Sequence, residues 1–217
     1  MSGESSGKAI VIRPSDVSLK ISDVTEMIIS GIMDAGEVDV IGVGDAMSIV
    51  CSALNLSCEI AKIYINQISF ENLEDPVLGK TAVIFAHLAQ LELVDYEKLV
   101  AEEEKIMDNI NDRTISVGHE IPMEKLLTRS LMALARFDVI KLIAAGGSIN
   151  EAISLALKLT TGQISRGTVG VKLIYLYSIN MRNDSAKRIS AISIYLQKGI
   201  MTEPSDLLKK LKSGITS

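Results

Sequence analysis

The stretch Ile41-Gly42-Val43-Gly44-Asp45-Ala46-Met47-Ser48 decides the fold, because its pattern returns at an offset of 102 as Ile143-Ala144-Ala145-Gly146-Gly147-Ser148-Ile149-Asn150. Each copy closes a β-branched run, carries a glycine at the turn and opens a helical stretch. A glycine between strand and helix marks a tight reversal. The correspondence runs upstream without a gap, pairing Val24 with Leu126, Met27 with Arg129, Ile28 with Ser130 and Ile29 with Leu131. Downstream, Tyr64 to Ile68 pairs with Tyr175 to Ile179, and Lys80 to Ile84 with Arg188 to Ile192. The match is of pattern rather than identity. A doubled fold-sized unit explains this order most simply; the alternative is that any two βαβα units share it.

Each copy reads as strand, helix, strand, helix, strand, strand. In the first, Ala9 to Ile12 is a strand ending at Pro14. Ile21, Val24, Met27, Ile28 and Ile32 form one stripe of a helix over Lys20 to Ala35, and Gly36 ends it. Val38 to Val43 is a central strand and Ala46 to Leu56 the second helix. Ile60 to Phe70 and Thr81 to Leu88 make a hairpin around a loop from Glu71 to Lys80. In the second copy the strands are Thr114 to Val117, Val139 to Ala144, Val171 to Met181 and Ile189 to Leu196. Its helices are Met123 to Arg136 and Gly147 to Leu159, and its hairpin tip spans Arg182 to Arg188. The fold class is α/β of the α+β sandwich kind. The units run over 8–90 and 113–199, joined by a Glu-, Leu- and Lys-rich helical connector over 91–112 and followed by a basic tail over 200–217.

With 217 residues, 47% of them hydrophobic, the chain forms one large domain or two of roughly 100 residues, and either buries a working core. No apolar run reaches the roughly 20 residues that span a bilayer, and Met1 to Gly7 lacks the apolar centre of a signal peptide. Cys51 and Cys58 are expected to be reduced core thiols of a cytoplasmic protein.

Charge is unevenly shared. Residues 1–108 hold 7 Lys and Arg against 19 Asp and Glu, whereas residues 109–217 hold 15 against 8. The two halves therefore carry different electrostatic jobs or attract each other. The first copy's hairpin tip is acidic and the second's basic.

This element order, with a glycine turn between the second strand and second helix, resembles the Alba family of small archaeal chromatin- and RNA-associated proteins, and the likeness covers both copies. That family's turn reads Arg-Gly-x-Ala-Ile. Here it stands as Val43-Gly44-Asp45-Ala46-Met47 and Ala145-Gly146-Gly147-Ser148-Ile149, with the glycine kept twice and the arginine missing twice. The lysine pair that opens the family's first helix is absent from Asp16 to Lys20 and from Gly118 to Pro122. Arg188-Ile189-Ser190-Ala191-Ile192-Ser193-Ile194 is similar to the family's last strand, Arg-Val-Ser-x-Ile-x-Ile. The resemblance implies paired units whose hairpins embrace nucleic acid. Two copies on one chain make that pair internally, as a pseudo-dimer, and each partner is free to diversify.

Little points to catalysis. Val40-Ile41-Gly42-Val43-Gly44-Asp45 follows a strand like a dinucleotide fingerprint, but its third glycine position is Met47. His87 and His119 lack Cys or His neighbours at metal-ligand spacing and lack a Ser or Cys elbow. No cofactor, metal or catalytic residue is expected. The chain has no Trp and three Phe, and Tyr175 and Tyr177 are expected to divide between core and surface, limiting base stacking. The expected function is non-enzymatic, non-specific and weak binding of RNA or DNA through the second unit's hairpin. Arg182, Lys187 and Arg188 reach phosphates, with Arg129, Lys141 and Lys158 helping where the fold brings them to that side. The alternative is an interaction or scaffold module that kept the fold, lost nucleic acid and takes a protein partner or self-associates. No membrane role is expected.

Overall fold

The computed structural model describes residues 8–16, 18–61, 63–75, 79–90, 113–161, 169–181 and 184–200. The expected connector over 91–112, residues 201–217 of the basic tail and Arg182 lie outside these residues. The first unit comprises β1 (Lys8–Ile12), α1 (Ile21–Ala35), β2 (Glu37–Val43), α2 (Met47–Ala61), β3 (Ile63–Asp75) and β4 (Gly79–Gln90). The second comprises β5 (Thr114–Ser116), α3 (Met123–Arg136), β6 (Val139–Ala145), α4 (Ile149–Thr160), β7 (Val169–Met181) and β8 (Asp184–Lys198). The expected order is present twice. Each unit has its own four-stranded sheet, ordered β1-β2-β4-β3 and β5-β6-β8-β7. The first pair in each sheet is parallel, joined by a helical crossover, and the other pairs are antiparallel.

Local chemistry sets the boundaries. Asp23 accepts the Lys20 backbone N–H at 2.9 Å, satisfying one of the donors left over at the start of α1. Gly36 closes that helix at φ 79°, its N–H bonded to the Ile32 carbonyl. The duplicated turn is the same backbone twice: Gly44 has φ 55° and Gly146 φ 56°, each followed by one 3-10 turn and then the helix. The glycines recur because this left-handed φ penalises a Cβ.

The units share one core. Helices α2 and α4 each pack on their own sheet and reach across to the other unit's, α2 against β7 and β8, α4 against β3 and β4, and they also touch each other. That reciprocity explains their composition. Met47, Val50, Cys51, Ala53, Leu54 and Ser57 of α2 are buried, as are Ile149, Ala152, Ile153, Leu155, Ala156, Leu157 and Leu159 of α4. A helix apolar around so much of its circumference is covered on two sides. α3, by contrast, buries Leu126, Ser130 and Leu134 and exposes Glu124, Lys125, Thr128, Arg129 and Arg136 together with Met132.

Three expectations need correction. Ile60 lies in α2, which runs five residues past Leu56 to Ala61, rather than opening a strand. Both hairpins are longer than the apolar pattern suggested: pairing continues to Asp75 opposite Gly79 and to Met181 opposite Asp184. Glu71, Glu74, Lys187 and Arg188 are therefore strand residues, because backbone pairing extends beyond the core wherever polar side chains stay in water. Tyr175 and Tyr177 share one face, as residues two apart on a strand must, and their rings stack at 5.8 Å and 24°.

Candidate nucleic-acid interface

Arg188 pairs with Asn180 in the β7–β8 ladder, two positions beyond the pair of Ser178 and Ser190, so Arg188 and Ser178 project from the same face. That face meets α2 of the first unit. Arg188 Nη1 lies 3.1 Å from Glu59 Oε2, Ser178 Oγ donates to Glu59 Oε1 at 2.8 Å, and Asn55 Nδ2 donates to Ser178 Oγ at 2.5 Å and to Glu59 Oε1 at 3.3 Å. One carboxylate thus gathers three donors, Arg188 and Ser178 from across the boundary and Asn55 from its own helix. Mutual attraction between the oppositely charged halves has at least this one direct contact. A second bridge joins the duplicated turns, where Asn150 Nδ2 donates to the Asp45 carbonyl at 3.3 Å.

The six cations named from sequence do not form one patch. Lys187 and Arg188 are consecutive exposed residues of β8, with Arg188 on the face that meets α2. Lys141 stands on the outer face of the second sheet, away from the helices, its Nζ 5.4 Å from the centre of the Tyr195 ring. Arg129 is exposed on α3, which packs on β5, β6 and α4 rather than on the hairpin. Lys158 is exposed in the last turn of α4.

The two outer sheet faces differ in charge at matched positions. On the first sheet Ile41 pairs with Phe85 and Phe85 with Ser69; on the second Ile143 pairs with Ser193 and Ser193 with Tyr175. Reading along these ladders, Asp39 corresponds to Lys141, His87 to Tyr195, and Glu71 to Tyr177. Ser69 and not Tyr64 is therefore the counterpart of Tyr175, and the sequence pairing of Tyr64 to Ile68 with Tyr175 to Ile179 is corrected by five positions. The first face carries Glu37, Asp39 and Glu71 around a buried cluster of Ile41, Val43, Val83 and Phe85, with His87 Nδ1 2.8 Å from Asp39 Oδ1. The second carries no carboxylate in the described ladder rows running from Thr114, Lys141, Tyr195 and Leu173 to Ile189 and Ile179; the one ladder carboxylate, Asp184, lies beyond them opposite Met181. Sequence reading missed this contrast, because register and not composition assigns a residue to a face.

The remaining reactive groups are held in quiet settings. His119 Nδ1 is 2.6 Å from Glu151 Oε1. Burial pushes the Cys51 thiol up to about 12. Burial, with the neighbouring Glu59 charge, pushes that of Cys58 up to about 11. Both are therefore protonated and poor nucleophiles near neutrality. Among the described residues no group of three or more His, Cys, Asp or Glu is arranged to hold a metal, and no helix is long and apolar enough to cross a membrane.

No protein-family model and no curated protein matches the sequence. Among solved structures, the fold is similar to that of ALBA1 from Trypanosoma brucei, at 20% identity and a TM-score of 0.34, covering 48% of this chain and 82% of that one.

Proposed function

We propose that the chain is a non-enzymatic nucleic-acid-binding protein in which the second unit makes the contact and the first serves as its built-in partner. The observation that carries this reading is the charge of the units themselves. Residues 113–199 hold 12 Lys and Arg against 5 Asp and Glu, while residues 8–90 hold 5 against 11. A cationic unit fixed to an anionic one presents phosphate with a single attractive side. Lys187 and Arg188, with Arg182 of the same hairpin, make the phosphate contact. Lys141, Arg129 and Lys158 extend the field from other elements.

Anisotropy titrations of labelled RNA and duplex DNA at low salt test this. Binding is expected to weaken with salt, log affinity falling by about 0.9 per phosphate neutralised on a duplex. Replacing Arg182, Lys187 and Arg188 together by Ala reduces that slope by roughly three at most; an unchanged slope removes the hairpin from the contact. The second reading, a protein-interaction module, is favoured by the engagement of Arg188 with Glu59. Absence of binding at high protein concentration with either nucleic acid would establish it over the first.

A further inference from the structure

The outer face of the second sheet has a composition that phosphate contact through the hairpin does not explain. Its ladder rows read Leu173, Tyr195, Lys141 and Thr114; then Tyr175, Ser193, Ile143 and Ser116; then Tyr177, Ala191 and Ala145; then Ile179 and Ile189. Three of the chain's five tyrosines stand here. Tyr175 remains 42% exposed and Ile179 38%, in rows that hold no carboxylate, Asp184 lying beyond them opposite Met181. The floor beneath is closed: Ala191, Ser193 and Tyr195 are buried, with Lys141 Nζ over the Tyr195 ring and the Ser193 hydroxyl donating to Tyr177 Oη at 3.4 Å. Tyr177 is thereby held from below, and Tyr175 stacks on it. The result is an exposed aromatic ring with a fixed backing, beside a cation.

We infer that this face is a stacking platform for unpaired nucleobases, with Tyr175 as the ring a base stacks on, Tyr177 as the positioning residue behind it and Lys141 as the phosphate contact alongside. The inference rests on the nucleic-acid reading above and specifies its ligand as single-stranded. An aromatic face accepts any base whose own face is free, whereas paired bases within a duplex offer only backbone and edges to a flat sheet. Charge selects the same occupant, since rows bearing Lys141 and no carboxylate suit a polyanion. The first unit supplies an internal contrast. Its equivalents of Tyr175, Tyr177 and Lys141 are Ser69, Glu71 and Asp39, which offer no ring and repel phosphate. The platform therefore belongs to the basic copy alone.

The test uses the full chain with a fluorescein-labelled twelve-nucleotide oligouridine and a twelve-base-pair RNA duplex as probes. With no Trp present, tyrosine emission reports directly on the rings. Oligouridine is expected to quench that emission. Tyr175→Ala and Tyr175→Leu, the latter keeping apolar bulk without a ring, each weaken oligouridine binding roughly tenfold and leave duplex binding within about twofold, while Tyr175→Phe keeps both. If duplex RNA binds and the non-aromatic variants leave oligouridine affinity unchanged, or weaken both probes equally, the platform is overturned while the nucleic-acid reading stands. If the wild type binds neither probe, both fall together.

Discussion

Removing the Glu59 carboxylate probes the join between the units. Glu59 sits in the last turn of α2, which has no basic residue, so its charge opposes the helix dipole there at a cost of about 0.3–1 kcal/mol. Three donors offset that cost: Arg188 at 3.1 Å, Ser178 at 2.8 Å and Asn55 at 3.3 Å. The Arg188 and Glu59 side chains are 55% and 35% exposed, so their ion pair is worth only about 0.5 kcal/mol after screening. The two side-chain hydrogen bonds contribute about 1 kcal/mol each. Subtracting the dipole relief, Glu59→Ala should destabilise the chain by roughly 1–2 kcal/mol in urea unfolding. A double-mutant cycle with Arg188→Ala should return a coupling of about 0.5 kcal/mol that shrinks in high salt. Glu59→Gln keeps an acceptor for Ser178 but releases Arg188, and should tighten RNA binding as stability stays near wild type. A Glu59→Ala protein as stable as wild type, with no coupling to Arg188, would refute the network as a link between units.

The duplicated turns respond unequally to alanine. A Cβ on Gly146 meets nothing within 4 Å, so Gly146→Ala costs only the left-handed backbone penalty of about 1–2 kcal/mol; at Gly44 the Cβ meets Pro14 at 3.3 Å, and thermal unfolding should show a larger loss. Equal losses would mean that Pro14 yields without cost. The thiols predict alkaline behaviour: with Cys51 raised from 9.0 to about 12 and Cys58 from 9.0 to about 11, the native state retains protons that the unfolded chain releases. Their contribution is intact below pH 9 and declines as pH rises toward 11 and 12, so urea midpoints should fall over that window. Cys51→Ala should shallow the decline, and an unaltered pH profile would contradict the assignment. At pH 8 both thiols should react with a disulfide reagent far more slowly folded than in urea.

The doubled architecture was legible because Gly44 and Gly146 mark a backbone conformation that other residues adopt only at a cost, leaving a local imprint at a fixed offset. The charge difference between the two halves was legible because it needs only counting, whereas its placement on the outer sheet faces needed the register. The hairpin arms were not, since apolar periodicity stops where the core stops, whereas pairing runs on through Glu71, Glu74 and Arg188. Contacts such as Asn55 with Ser178 join residues more than a hundred positions apart and leave no periodic trace. The near-continuous apolar character of α2 and α4 was the available clue that each is covered on two sides. Tyr175 and Tyr177 needed only the period of a strand, which puts both on one surface.

The division of labour between the units is tested most directly by amide NMR shift mapping of the intact chain during titration with single-stranded RNA. Perturbations are expected to concentrate on β7, β8 and the Lys141 region of β6, and to spare the Glu37, Asp39 and Glu71 face of the first sheet. Shifts spread evenly over both sheets, centred on the first unit, or absent at saturating RNA would contradict the account.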